Sequence, residues 1–256
     1  MKHRSATGKA FDAERDRSAA DDWSFFDRIY CISIEDRVDR RRAAQAQLQS
    51  VGLGDRVEFH LVRKHPSNCE QGIYESHRHC LASGLAAGAE RILIFEDDVV
   101  FSGFSPERLA DAVRFLRREN DWQAFFLGCL VHGSRKTVCR SVVAIRYRSL
   151  AHAYAVSRGF AENLVANYPW RGLAYDALLR DRCSSHFYAL YPAIAFQSNS
   201  PSDNDPYLPL DRFRRLCGGL QVVQRSNEWF QRHKGGIICF HVLVVLLGAI
   251  LLLGRP

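Results

Sequence analysis

The chain has 256 residues, 25% of them charged and 47% hydrophobic, with a formal net charge of +7 and a pI of about 9.1. These values exclude a fibrous or wholly disordered chain and fit one globular domain with appendages. The positive balance suits a partner bearing phosphates, without choosing between a nucleotide, a nucleic acid and an anionic lipid.

Residues 1–22 are polar and aperiodic and read as a disordered arm with no secretory signal peptide. Arg28–Ile34 (RIYCISI) has the pattern of a first strand. Asp36 then opens a helix closed by Gly52, with Arg37, Arg40, Arg41 and Arg42 in its first turns, where cations oppose the helix dipole. That mild misfit suggests a role in holding an anion, with solvated side chains as the alternative reading for most of them. Val57–Val62 reads as a second strand, RKHPSNCEQG as irregular, and YESHRHCLASGLAAG as a helix.

The next stretch, RILIFEDDVVF (Arg91–Phe101), runs four apolar residues into Glu96, Asp97 and Asp98. An uninterrupted apolar run of this length reads as a strand buried on both faces. Ligands of open α/β sheets gather at the carboxyl ends of strands, where these acids fall. Adjacent carboxylates held together need a compensating cation, and a divalent ion shared with substrate phosphates suits the site; the alternative is a solvated strand-end turn with an aspartate capping the next helix.

Ser105-Pro106-Glu107 starts a further helix, with a capping Ser and Pro at the first helical position. Ala124–Leu127 is a short strand, and VVAIRY and HAYAV are expected as antiparallel additions. Ser157 caps a helix running to about Asn167, Asp176 starts another, and FYALYPAIAFQ holds one or two strands. The alternation of strand and helix predicts an α/β layered domain over residues 23–210. Residues 211–234 form a basic juxtamembrane segment, and 235–254, without Lys, Arg, Asp or Glu, a single C-terminal transmembrane helix. Basic residues precede this run, and only Arg255 follows it as a charge. The expected protein is therefore a single-pass membrane protein with a cytosolic domain.

Eight cysteines stand singly, with no C-x-x-C pair, against a zinc framework or a disulfide scaffold. No G-x-x-x-x-G-K-[ST], GxGxxG or GxSxG motif occurs. What remains is chemistry by carboxylates and metal: phosphoryl transfer, nucleic-acid cleavage, or sugar transfer from a nucleotide diphosphate.

Several blocks in order then resemble one family. They are RIYCISIEDRVDRR, GIYESHRHCL, ILIFEDDVVF, DWQAFFLG, HAYAVSRGFAENL, AYDALL, and YPAIAFQ followed by SPSDND. From about Phe26 to Asp205 the chain resembles the family 25 glycosyltransferases, which include lipopolysaccharide sugar transferases and collagen galactosyltransferases. The resemblance implies a GT-A type, Rossmann-like nucleotide-diphospho-sugar transferase domain. It also implies a nucleotide-sugar donor (often UDP-galactose), Mn2+ or Mg2+, and inversion at the anomeric carbon. Its acceptor would be a glycan, glycolipid or protein hydroxyl, with no nucleic acid as partner.

Carried onto this chain, the resemblance makes Asp97 and Asp98 the metal ligands, with Asp98 also catalytic, and Asp176 the candidate base. Glu96, Arg37, Ser76 and His77 become donor-binding residues. Arg40 is the weaker match of the two arginines. Asp203 and Asp205 are possible additions to the metal site, and Tyr154 and Gln197 strand residues at its edge. Ile73 departs from the family's usual Cys, LVRKHPSNCEQG departs from the usual sequence after the second strand, and the C-terminal anchor is not part of the pattern. Two rival readings stand beside this one: a metal phosphohydrolase or nuclease using the same acids, and a non-catalytic membrane-tethered module.

Overall fold

The computed structural model describes residues 22–199 and 218–253, with the side chains of the last helix described as far as Leu246. The expected arm, apart from residue 22, and the segment carrying Asp203 and Asp205 lie outside the described residues.

The strands are β1 (Arg28–Ile34), β2 (Glu58–Val62), β3 (Arg91–Glu96), β4 (Val99–Phe101), β5 (Ala124–Phe126), β6 (Leu130–Lys136), β7 (Val142–Ser149), β8 (Ala153–Ser157), β9 (Phe187–Leu190) and β10 (Ala195–Gln197). The helices are α1 (Val38–Ser50), α2 (Cys69–Ala86), α3 (Pro106–Arg118), α4 (Arg158–Asn167), α5 (Tyr175–Asp181) and α6 (Gly219–Leu253). Eight strands make one mixed sheet in the order β2-β1-β3-β8-β5-β9-β7-β6, and β4 and β10 form a separate antiparallel pair. β2, β1 and β3 are parallel, and β8 runs antiparallel between β3 and β5.

β3 is buried on both faces because its side chains alternate between two apolar cores. Leu93 and Phe95 pack on one side of the sheet, Ile92 and Ile94 on the other, all at 0% exposure. Removing each such side chain from water contributes roughly 1.5–3 kcal/mol. This strand is therefore a firm base for the acids at its end.

Local chemistry explains most boundaries. The Ser105 hydroxyl accepts from the Arg108 N–H, with Pro106 at the first helical position of α3. α2 starts five residues before the expected Tyr74. Asn68, inside the stretch read as irregular, caps it by accepting from the Gln71 N–H. β6 has no counterpart in the sequence reading. Its burial is broken by exposed and half-buried polar residues, as suits a strand at the sheet's edge.

The largest difference is at the carboxyl end. Residues 219–234, read as part of a juxtamembrane segment, belong to the folded domain as the first half of α6. Gln224, 1% exposed, donates to the Ala195 carbonyl at 2.9 Å. Asn227 exchanges two hydrogen bonds with the Val131 backbone, both at 3.0 Å, and Glu228 accepts from the Ala193 N–H. Gly128 permits this docking, because a Cβ there would overlap both the Ala195 carbonyl and the Gln224 amide. Beyond it, Ile238, Phe240 and Val242–Leu246 are exposed. Among the described residues no helix is long and apolar enough to cross a membrane. The anchor expected over 235–254 runs on past the described side chains.

Candidate functional site

The backbone brings the carboxyl ends of β1 and β3 to one place. The Asp97 N–H donates to the Ile32 carbonyl at 3.0 Å, and the Glu96 N–H to the His152 carbonyl, just before β8, at 2.9 Å. Asp97 and Asp98 then turn the chain into β4, whose antiparallel partner β10 returns the Ser198 N–H to the Asp98 carbonyl at 2.7 Å. The three acids thus occupy the end of the open parallel part of the sheet, where crevices for ligands form.

One cation beside these carboxylates comes from the chain itself. Arg40, in the first turn of α1, lies with Nη2 2.5 Å from Asp97 Oδ1 and 3.3 Å from Asp98 Oδ2. The Arg40 side chain is 12% exposed, against 6% for Asp97 and 18% for Asp98. The pairing leaves the site short of donors. Asp97 Oδ2 and Asp98 Oδ1 are buried with no hydrogen-bond partner among the described residues. Burial and the charge of Glu96 push the Asp98 carboxyl up to about 7 in spite of Arg40, and burial raises that of Asp97 as well. Arg37, the better match by resemblance, is instead turned to Asp39, whose carboxylate it meets with two bonds of 3.1 Å. Three residues decide the difference, since Arg37 precedes the helix while Arg40, in its first turn, reaches the acids at the end of β3.

Glu96 faces a second network. His77 Nε2 donates to Glu96 Oε1 at 3.2 Å, and the Gln197 amide reaches Oε2 at 3.4 Å. His77 Nδ1 lies 3.1 Å from the Tyr154 hydroxyl, which is 2.7 Å from the Tyr175 hydroxyl. The His77 ring stacks on Tyr175 with centroids 4.2 Å apart. Burial pushes the Glu96 carboxyl up, but the His77 hydrogen bond and the positive surroundings outweigh it and hold it below its ordinary value. Ser76 takes no part in this network. Its hydroxyl donates to the Gly72 carbonyl one turn back in α2, at 2.6 Å.

Asp176 is drawn into structure. It accepts from the Tyr147 hydroxyl at 2.5 Å and from the Leu150 and Ala151 N–H groups at 3.0 Å. Leu150 has φ of 77°, a left-handed conformation that a branched apolar residue rarely adopts. Asp176 therefore clamps a strained turn between β7 and β8, and each of its oxygens already accepts a hydrogen bond. This geometry opposes the reading of Asp176 as the base.

Two residues beside the acids gain importance. Gln197, read as an edge strand residue, contacts Glu96 directly. His152, passed over in the sequence, is fully buried with neither ring nitrogen hydrogen-bonded among the described residues. Burial lowers its pKa, against the opposing pull of the Glu96 charge. The only sequence signal for His152 was a polar residue opening an otherwise small and apolar strand.

Among the described residues no group of three or more His, Cys, Asp and Glu side chains is arranged to hold a metal ion. Asp97 and Asp98 nevertheless fit as a two-carboxylate ligand set, because each keeps one buried oxygen without a donor among the described residues. Such a pair suits a hard divalent ion that retains waters and shares phosphate oxygens.

No protein-family model matches the chain. Among solved structures it is similar to A197 from STIV, at 10% identity over 66% of this chain and 83% of that one, with a TM-score of 0.42. It is also similar to the mannose-1-phosphate geranyltransferase from Thermus thermophilus, at 11% identity over 64% and 73%, TM-score 0.43. A glycosyltransferase involved in the glycosylation of the major capsid of PBCV-1 matches at 11% identity over 73% of this chain and 99% of that one, TM-score 0.40. At this level of similarity the function rests on the chain's own residues.

Proposed function

We propose that this chain is a glycosyltransferase of GT-A architecture, similar to family 25, that moves a hexose from a nucleotide diphosphate to a hydroxyl acceptor. UDP-galactose is the donor that the resemblance favours, with a glycan, glycolipid or protein as acceptor. One observation carries the reading. A buried and a half-buried aspartate, each with a buried oxygen that has no partner among the described residues, stand at the carboxyl end of β3 and share one guanidinium. Burying carboxylates without donors costs several kcal/mol or raises their pKa, so a fold that keeps them has a use for their charge.

Asp97 and Asp98 would hold Mn2+ or Mg2+, and the bound ion supplies neutralisation of the charge that develops on the leaving diphosphate. Glu96 takes the base role first assigned to Asp176. It is a quarter exposed, and His77 and Gln197 orient its carboxylate toward the same sheet end. Tyr154 and Tyr175 hold His77 in place, so His77 acts by positioning Glu96. Residues 235–254 tether the domain to the cytosolic face of a membrane, with Arg225, Arg232 and Lys234 on the domain side of the apolar run.

The test is donor hydrolysis and transfer across a panel of nucleotide sugars with and without Mn2+. Metal-dependent loss of one donor is expected, falling about 100-fold or more in Asp98→Asn, on the order of several kcal/mol of charge stabilisation. Absence of binding to every nucleotide sugar, with or without metal, would overturn the reading.

A further inference from the structure

We infer that Arg40 is a built-in counterion that competes with a divalent ion for Asp97 and Asp98, and yields the pair when a nucleoside diphosphate offers its guanidinium another anion. The inference rests on the proposed donor chemistry and extends it to the order in which the site fills.

The geometry makes the competition direct. Arg40 Nη2 stands within 2.5 Å of Asp97 Oδ1 and 3.3 Å of Asp98 Oδ2, so one nitrogen already occupies the point between the two carboxylates. A divalent ion bound by both aspartates needs that same region, at about 2.0–2.6 Å from its oxygens. Two cations cannot share it, because a guanidinium and a divalent ion a few ångströms apart in a largely desolvated site repel strongly. Asp97 Oδ2 and Asp98 Oδ1, which have no partner among the described residues, carry the lone pairs that an arriving ion would find open.

The position of Arg40 explains why it can let go. It is the third residue of α1, a helix of 13 residues, where the dipole disfavours a cation and favours an anion. The aspartates hold it there against that dipole. A diphosphate at this helix end would meet a favourable dipole and offer the guanidinium paired oxygens, a geometry that arginine matches well. Diphosphate and metal then help each other, because each removes what opposes the other. Such coupling is reciprocal and commonly amounts to about 5–150-fold in affinity.

The experiment is a titration of Mn2+ alone, and of Mn2+ with saturating UDP, into the full chain, read by calorimetry and by the electron paramagnetic resonance of the free ion. Wild type should bind Mn2+ weakly alone. Arg40→Gln should bind Mn2+ alone about tenfold tighter or more, and UDP should improve its metal affinity less than it improves that of wild type. Arg40→Met, which keeps the aliphatic stem, is the second neutral variant should the first fail to fold. Arg40→Lys retains the charge and should stay near wild type. Equal Mn2+ affinity in wild type and the neutral variants, with UDP still bound, would overturn the counterion role while leaving a metal-dependent transferase intact. Failure of every protein to bind Mn2+, with or without UDP, would overturn this inference and the metal site together.

Discussion

Asp98 and Asp176 are both half-buried aspartates at the ends of secondary-structure elements, and they have opposite surroundings. Asp176 has a donor for each oxygen: a tyrosine hydroxyl and two backbone N–H groups, arranged around a left-handed residue. Asp98 shares one arginine with Asp97, lies beside Glu96, and keeps an oxygen with no donor among the described residues. A saturated carboxylate holds a turn together. An undersupplied one stores unfavourable electrostatics that a ligand can relieve. The contrast separates a carboxylate saturated by donors from one left short of them where residue type and helix position do not.

The sharpest way to break this comparison is to remove the structural acid. Asp176→Ala orphans one hydroxyl and two N–H groups around Leu150, and is expected to destabilise the fold by roughly 3–5 kcal/mol. Thermal melting checks it. A variant with unchanged melting temperature and lost transfer would restore Asp176 as the base.

The second comparison has the opposite sign. The Asp98 carboxyl stands at about 7 in the folded chain, above its ordinary 3.8, through burial and the neighbouring Glu96 charge. The folded state therefore binds the extra proton between these values, and stability falls as pH rises through that window. Without added divalent ion, Asp98→Asn should stabilise the fold at pH 8, on the order of 2–4 kcal/mol, and make little difference near pH 4. Denaturant unfolding at both pH values measures it, and a destabilised variant at pH 8 would show that Asp98 is a satisfied ion-pair partner like any other.

The smallest effect distinguishes the two halves of α6. Truncation after Lys234 keeps Gln224, Asn227 and Glu228 on the domain and should leave melting and transfer to a soluble acceptor unchanged within about 0.5 kcal/mol. It should lower transfer only to a membrane-borne acceptor. Truncation before Gly219 removes those contacts, frees β10 and with it Gln197, and should cost both stability and activity. Equal loss on soluble and membrane-borne acceptors after the shorter truncation would count against a tether.

Much of the fold was legible because it is written in local and periodic signals. The β1 boundaries, the capped start of α3 and the buried character of β3 follow from apolar runs, a serine-proline cap and an uninterrupted hydrophobic stretch. The acids at the end of β3 were legible for the same reason, since a buried strand that runs into charge must surface there. The start of α2 at Cys69 was hidden by its polar first turn, and β6 by the mixed burial of a sheet edge.

The sequence by itself determined that an acidic strand end would sit at the mouth of an α/β sheet and that a cation would be needed beside it. Only the tertiary structure decided that an arginine of the chain itself lies there. Arg40 reaches Asp97 across more than fifty residues of chain, and Arg37, three positions earlier, turns to Asp39 instead. It also decided that Asp176 serves the turn at Leu150, that Gln197 serves Glu96, and that half of the C-terminal helix belongs to the domain. Periodicity reports which face of an element is buried, but the partner of a polar side chain is set by packing between elements distant in sequence.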